Sequence, residues 1–356
     1  MLQRSPPDNV CVVRLSAIGD TCQALAAVRA IQDTWPETGL TWIIGKTEAS
    51  LLADIPGIEF IIFDKSAGLR AYRSVAARLA RRRFDVALCM HASMRANWLN
   101  RLIRTPLRLG YDRARARDFQ WLFTNRRIPA VPRQHVQDAL LSFAHAIGAA
   151  ARPPRWDIPV SEAQREFAAG FRQTGRPLML LSPCSSERAR NFRNWSAENY
   201  AAAVKHAQKK FGCSVVVTGG GTALERDYAA TIRKLAGSEV VDLVGQTSLK
   251  QLYALIATAD GVLCPDSGPA HMATTAGTPV IGLDATPNPA RTGPYLGPDL
   301  TVNAYPEAVR QFLGKRVEDL RWGQRVRDPR AMGLIRLGDV NARIDALFGR
   351  SAQNSA

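Results

Sequence analysis

The chain has 356 residues, 46% of them hydrophobic and 22% charged, which is long enough for two cores and too evenly apolar for extended disorder. Its formal net charge of +16 points to anionic partners, with nucleic acid, anionic lipid and phosphorylated sugar as the classes of ligand. The start, MLQRSPPDNV, has no secretory signal, and no apolar run reaches the roughly 20 residues of a membrane span. A cytoplasmic protein is therefore expected. The six cysteines are scattered without a C-x-x-C pair and indicate neither disulfides nor zinc.

From the first residues, short β-rich runs alternate with helical segments, the pattern of β-α-β units and a parallel sheet covered by helices. Strands are expected at 10–15, 41–45, 59–64, 85–90 and 107–111, with helices at 21–34 and 69–83. Residues 70–133 hold sixteen arginines, no lysine and three carboxylates, Asp85, Asp112 and Asp118. That is either a surface for polyanions or the solvated faces of arginine-rich helices. After a helix at 135–149 comes ARPPRWDIPV, whose consecutive prolines mark a domain boundary. The second half restarts the pattern with strands at 178–181, 214–218, 240–244, 261–264 and 280–283. Ser196 opens a helix that ends at Gly212, and Ser248 with Gln251 forms a capping box. Residues 301–330 are too irregular to place, and the periodic segment 340–348 can pack on either domain. The expected class is α/β: two Rossmann-like, doubly wound domains at 1–155 and 156–335 facing a central cleft, with a C-terminal helix and tail at 336–356.

Open parallel sheets bind ligands where strand ends lead into helix N-termini, and three such loops stand out. In LSAIGDTCQALAAV, Asp20 lies at a strand-to-helix turn, as a helix N-cap or as a general base for an attacking hydroxyl. In LSPCSSERARNFRNWS, the hydroxyls of Ser182, Ser185 and Ser186 stand beside Arg188, Arg190 and Arg193. This is either a diphosphate cradle or a solvated basic loop. In GVLCPDSGPAHMATTAGTPVIGL, a strand runs into Asp266, Ser267, Gly268, Pro269 and His271. A helix N-terminus there would meet phosphate, although Asp266 and Ser267 also read as caps and His271 as a helix histidine.

Absences narrow the field further. There is no G-x-x-x-x-G-K-[ST] loop, and Gly219-Gly220-Gly221 does not continue as G-x-G-x-x-G, which disfavours P-loop enzymes and ordinary dehydrogenases. No D-x-D pair occurs, so a transfer without a metal is favoured. Few aromatics are interleaved with the arginines and no helix-turn-helix or RNA-binding signature is visible, so a nucleic-acid module ranks low.

Taken in order, VVRLSAIGDTCQALAAVRAI, HVQDALL, LLSPCSSERARNFRNWS and VLCPDSGPAHMATTAGTPVIGL resemble the heptosyltransferases of glycosyltransferase family 9 over nearly the whole chain. The resemblance implies a GT-B architecture with the acceptor on the first domain and an ADP-sugar on the second. It implies an inverting, single-step transfer with no covalent enzyme intermediate; with no D-x-D pair, neither a metal nor another cofactor is expected. By position, Asp20 resembles the general base. Asp266, Ser267, Gly268, Pro269 and His271 resemble donor-phosphate and heptose contacts, and Ser185 and Ser186 the hydroxyl contacts to phosphate. Glu225 and Thr247 fall where relatives approach the ribose and adenine. Arg193 stands where the family usually has lysine, and Arg190 is an alternative for that role. The implied partners are an ADP-heptose donor and an acidic glycolipid, Kdo-bearing lipid A or a heptosylated core, at the inner membrane surface. Another nucleotide sugar or a protein acceptor is the alternative.

Overall fold

Runs such as NVCVV, LMLL, SVVV and GVLCP are buried along nearly their whole length. Continuous apolar strands of this kind belong to parallel sheets covered on both faces. A computed structural model describes residues 5–185 and 191–353, with side chains through residue 349. The chain divides into two units, Met1–Pro159 and Val160–Ala356.

In the first unit, β1 (Asn9–Val13) leads through α1 (Ile18–Thr34) to β2 (Gly39–Gly45), α2 (Lys46–Leu52), β3 (Ile58–Phe63) and α3 (Leu69–Leu79). Then follow β4 (Val86–Leu88), α4 (Met94–Leu102), β5 (Leu107–Gly110), β6 (Arg126–Arg127) and α5 (Val136–Ile147). The six strands are parallel in the order β3-β2-β1-β4-β5-β6, with Val10 opposite both Leu40 and Val86. The Pro-rich connection beyond residue 150 has no regular structure. Its Trp156 and Ile158 are nonetheless buried, and Arg29 in α1 donates to the Trp156 and Asp157 carbonyls at 3.0 and 2.8 Å. Those contacts keep 156–159 in the first unit, so the division falls after Pro159 instead of at 155/156.

The second unit runs α6 (Glu162–Ala169), β7 (Leu178–Leu181), α7 (Ala197–Phe211), β8 (Ser214–Val217), α8 (Ala223–Ala236), β9 (Val241–Asp242) and α9 (Leu249–Thr258). It continues through β10 (Gly261–Pro265), α10 (Gly268–Ala276), β11 (Val280–Asp284), α11 (Pro289–Thr292), β12 (Val302–Asn303), α12 (Tyr305–Leu313) and α13 (Leu337–Gln353). Its parallel order, β12-β11-β10-β7-β8-β9, repeats the first sheet's order, so both expected Rossmann-like units are present. The marked helix ends are also there: Ser196 and Ser248 cap α7 and α9, and Gly212 ends α7 in the left-handed region at φ 64°. Gly221 (φ 88°) permits the turn after β8, where an added Cβ would come within 2.8 Å of the Gly245 Cα.

The periodic C-terminal segment joins the second core, where Val340, Ile344 and Phe348 are buried. The irregular stretch contains β12 and α12, and each sheet gains a two-residue edge strand, β6 or β12, too short to leave any periodicity. All six cysteines are free and buried. No helix among the described residues is long and apolar enough to cross a membrane.

Candidate active site at the two strand switch points

In both sheets the chain order reverses beside the first strand, between β1 and β4 and between β7 and β10. Loops leaving those strand ends part there and form a crevice for a ligand. The loops singled out from sequence follow β1, β7 and β10; the loop after β4 completes the set.

At the first switch point, Arg14 leaves β1 into the sheet end. Its NH1 donates to the Met90 carbonyl beyond β4 at 2.7 Å, and its own carbonyl accepts from Trp42 Nε1 at 3.1 Å. So fixed, its NH2 lies 2.5 Å from Asp20 Oδ2, the arginine side chain 10% and the carboxylate 40% exposed. Asp20 is the third residue of α1, and Ala17 holds the cap position, its N–H reaching Asp20 Oδ2 at 3.4 Å. The cap contact is long and the ion pair short, so the pair with Arg14 dominates the setting of this carboxylate.

His91, after β4, accepts the Leu15 N–H through Nδ1 at 3.2 Å. Burial, then the Arg14 charge, lower it from 6.5 to about 4. It is therefore neutral near pH 7, with Nδ1 as acceptor and its hydrogen on Nε2. Glu48 is buried at the start of α2, and burial raises its carboxyl above the ordinary value. Sequence reasoning missed Arg14, His91 and Glu48. The available signal was a charged or titratable residue set directly against a buried strand.

At the second switch point, Asp266 follows β10 and Ser267 occupies the position before α10, with Pro269 in the first turn. Arg193 NH1 donates to the Asp266 carbonyl and to Oδ2, each at 2.8 Å, while its Nε donates to Asn191 Oδ1 at 2.6 Å. His271 Nε2 lies 3.7 Å from Asp266 Oδ1. Burial favours the neutral acid, but His271 and the Arg193 charge outweigh it and hold the Asp266 carboxyl below its ordinary range. The ion pair is nearly enclosed, with Asp266 5% and Arg193 14% exposed. Neither Asp266 nor Ser267 acts as a cap through its side chain: Ser267 makes no cap hydrogen bond, and its buried Oγ has no hydrogen-bond partner.

The loop after β7 is tied to this cluster. Ser185 donates from N and from Oγ to Asn194 Oδ1 at 2.8 and 3.0 Å, and its Oγ accepts from Asn191 Nδ2 at 2.8 Å. Asn191 thus links Ser185 to Arg193; neither asparagine was singled out from sequence. Ser186, Arg188 and Arg190 lie outside the described residues. Asp284, at the end of β11, neighbours Asp266 across the sheet and is 1% exposed, with neither carboxylate oxygen hydrogen-bonded. Burial, then the Asp266 charge, raise its carboxyl well above the ordinary value.

Glu225 and Thr247 stand apart from this network. Glu225 accepts the N–H groups of Gly220 and Thr222, both at 2.9 Å, and closes the turn that opens α8. Thr247 is half-buried, just before the Ser248 cap of α9. Among the described residues no three His, Cys, Asp or Glu side chains converge as a metal site.

A family model described as glycosyltransferase family 9 (heptosyltransferase) matches residues 72–311. The lipopolysaccharide core heptosyltransferase OpsX of Haemophilus influenzae is 39% identical over 334 residues, 94% of this chain and 95% of that protein. Among solved structures, a family 9 glycosyl transferase from Veillonella parvula aligns with TM-score 0.78 at 18% identity, covering 98% of each chain. The ADP-heptose lipopolysaccharide heptosyltransferase II of Escherichia coli aligns with TM-score 0.73 at 18% identity, over 97% of this chain and 99% of that one. At such identity these two likenesses speak for the fold, a GT-B pair of parallel six-stranded sheets.

Proposed function

The chain belongs to glycosyltransferase family 9, and from that premise we propose that it moves a heptose from ADP-heptose onto an acidic lipopolysaccharide core acceptor. The single observation that carries the residue assignment is the occupation of both switch points by oppositely arranged ion pairs, Arg14–Asp20 and Arg193–Asp266. The donor's diphosphate sits at the N-terminus of α10. Its charge is met by that helix end and by the Arg193 guanidinium, whose Nε and NH1 are held by Asn191 and Asp266 so that the NH2 edge meets phosphate. Ser267 Oγ, idle as a cap, and the His271 ring contact the phosphate or sugar, with Ser185 in the neighbouring loop; Ser186 and Arg190, outside the described residues, are assigned to the phosphate by sequence alone. Glu225 and Thr247 bound the nucleoside end.

In the reaction the acceptor hydroxyl oxygen forms a bond to the anomeric carbon as the bond from that carbon to the diphosphate oxygen breaks, with inversion. The hydroxyl proton goes to Asp20, and the electron pair leaves with ADP. Arg14 keeps the Asp20 carboxylate oriented, and its exposure leaves it reachable. Transfer proceeds without a metal, Arg193 and the α10 amides stabilising the charge that develops on ADP. The arginine-rich first unit meets the carboxylates and phosphates of an acceptor held at the cytoplasmic face of the inner membrane.

The test is ADP release by the purified protein with ADP-heptose and Kdo-lipid A, a heptosylated core fragment or no acceptor, each with and without EDTA. Release stimulated by one acceptor and unchanged by EDTA is expected. Donor binding without release for either acceptor overturns the acceptor assignment, and loss of release with EDTA overturns the metal-free mechanism.

A further inference from the structure

The first unit carries a surface that the transfer chemistry does not use. Met94 and Trp98 lie one turn apart on α4 and are 37% and 55% exposed, while Phe119, Trp121 and Leu122 follow in a turn at 60%, 46% and 61%. The two segments are bolted together. The Met94 N–H donates to Asp118 Oδ2 at 3.0 Å, and Asn97 Nδ2 donates to the Asp118 carbonyl at 2.7 Å. Trp98 meets Phe123 edge-on at 5.5 Å between centroids, and Phe119 meets Trp121 at 6.4 Å. Asp118 and Phe119 both adopt the left-handed region, at φ 50° and 56°. That conformation is uncommon for any side chain and strained for a bulky one, yet here it leaves a large aromatic ring outside the core. Singly exposed apolar residues need no explanation, whereas a joined set of this kind marks an interaction site.

The charge around the set is of one sign. Arg95 follows Met94, Arg117 lies two residues before Phe119, and Arg126 and Arg127 form the edge strand β6; all four are exposed. The three carboxylates of residues 70–133 already hold partners: Asp85 accepts from the Asn9 N–H, Asp112 pairs with Arg115, and Asp118 accepts from Met94. Along the sequence few aromatics are interleaved with these arginines. Folding brings four, Trp98, Phe119, Trp121 and Phe123, to one place. Indole and phenyl rings beside arginines, with an aliphatic tip at Leu122, suit the boundary between headgroups and acyl chains.

We propose that α4 and the turn through Phe119–Leu122 dock the first unit onto an anionic lipid leaflet, the rings and Leu122 entering the headgroup boundary and the arginines engaging lipid phosphates. The proposal rests on the reading above that the acceptor is held in a membrane. A nucleic acid fits the arginines and rings but gives Leu122 and Met94 no role, so the lipid surface is favoured.

The experiment is co-sedimentation of the full chain with vesicles of phosphatidylcholine, alone or mixed with phosphatidylglycerol, across a salt series. Binding that requires phosphatidylglycerol and weakens with salt is expected. Trp121→Ser combined with Leu122→Asp lowers the partition coefficient on the order of tenfold or more, and Arg126→Gln and Arg127→Gln lower it about fivefold per charge. Trp98→Phe with Trp121→Phe keeps the binding but removes most quenching by brominated lipid. The Trp98, Trp121 and Leu122 variants keep wild-type turnover on a deacylated, water-soluble acceptor and the arginine variants keep the wild-type denaturant melt, which shows that all are folded. Equal binding of the Trp121→Ser/Leu122→Asp variant and the wild type overturns the proposal, as does tighter binding to single-stranded RNA than to the vesicles at the same salt. Failure of ADP release with every acceptor, with vesicle binding intact, overturns the acceptor assignment and leaves the docking face standing.

Discussion

The two switch points use one scaffold and turn the same kind of ion pair in opposite directions. At the first, arginine is the inner partner and carboxylate the outer: Arg14 is 10% exposed and Asp20 40%. At the second, carboxylate is the inner partner and arginine the outer: Asp266 is 5% exposed and Arg193 14%. In each pair the buried member is fixed by the sheet end and sets the geometry of the other. In the proposed function the more exposed member is the one that meets ligand, a base in the first unit and an anion holder in the second. Strand order alone does not assign these roles, because it is the same in both.

The comparison breaks most sharply at Asp20. Asp20→Asn keeps the shape and removes the basicity, and turnover is expected to fall on the order of 10²-fold or more, measured as ADP release at saturating donor. At the second switch point, Arg193→Ala weakens ADP-heptose binding on the order of ten- to a hundredfold. It also destabilises the fold by about 3 kcal/mol, because Asp266 stays buried without its partner. Adding Asp266→Asn to Arg193→Ala restores the stability but not the affinity. That split, read by denaturant melts and calorimetry, separates the structural half of the pair from the ligand-binding half.

Stability is also expected to depend on pH through His91. The folded chain holds His91 near 4 against an ordinary 6.5, chiefly by burial and then by the Arg14 charge. Between those values the unfolded chain takes up a proton that the folded one refuses. The contribution is therefore complete above pH 6.5 and is lost as pH falls toward 4, on the order of 3 kcal/mol in all. His91→Asn retains an acceptor for the Leu15 N–H, and the slope of stability with pH in that range is expected to flatten.

The smallest effect is at Asp284, whose raised carboxyl has the opposite sign: the folded chain keeps a proton that the unfolded one releases, so stability declines as pH rises above the unfolded value. Asp284→Asn is expected to remove that decline and to gain on the order of 1 kcal/mol at neutral pH. A loss of stability on this substitution would show that the buried carboxylate is charged and paired.

The central strands were legible in the sequence because a sheet covered on both faces writes itself as unbroken apolar runs, and helix ends such as Ser196, Gly212 and Ser248 carry their own chemistry. Edge strands of two residues, Arg126–Arg127 and Val302–Asn303, were not legible, since they are made by a neighbour's free edge and not by their own pattern. In the site, Asp20 and Asp266 stood out because each sits at a glycine-marked turn from strand to helix. Arg14, His91 and Asp284 did not, because their importance comes from adjacency across the sheet: Arg14 reaches a carbonyl 76 positions along the chain, and Asp284 lies beside Asp266 only through the β10–β11 register. The cap reading of Ser267 failed for a related reason, as its hydroxyl sits at the cap position without making the bond. Ser186 and Arg190 lie outside the described residues, and their assignments rest on sequence.

The most direct test is calorimetric titration of ADP-heptose into the Asp20→Asn and Arg193→Ala variants beside the wild type. Asp20→Asn is expected to keep wild-type affinity and Arg193→Ala to lose it. Weakened donor binding in Asp20→Asn together with unchanged binding in Arg193→Ala would contradict the division of roles between the two switch points.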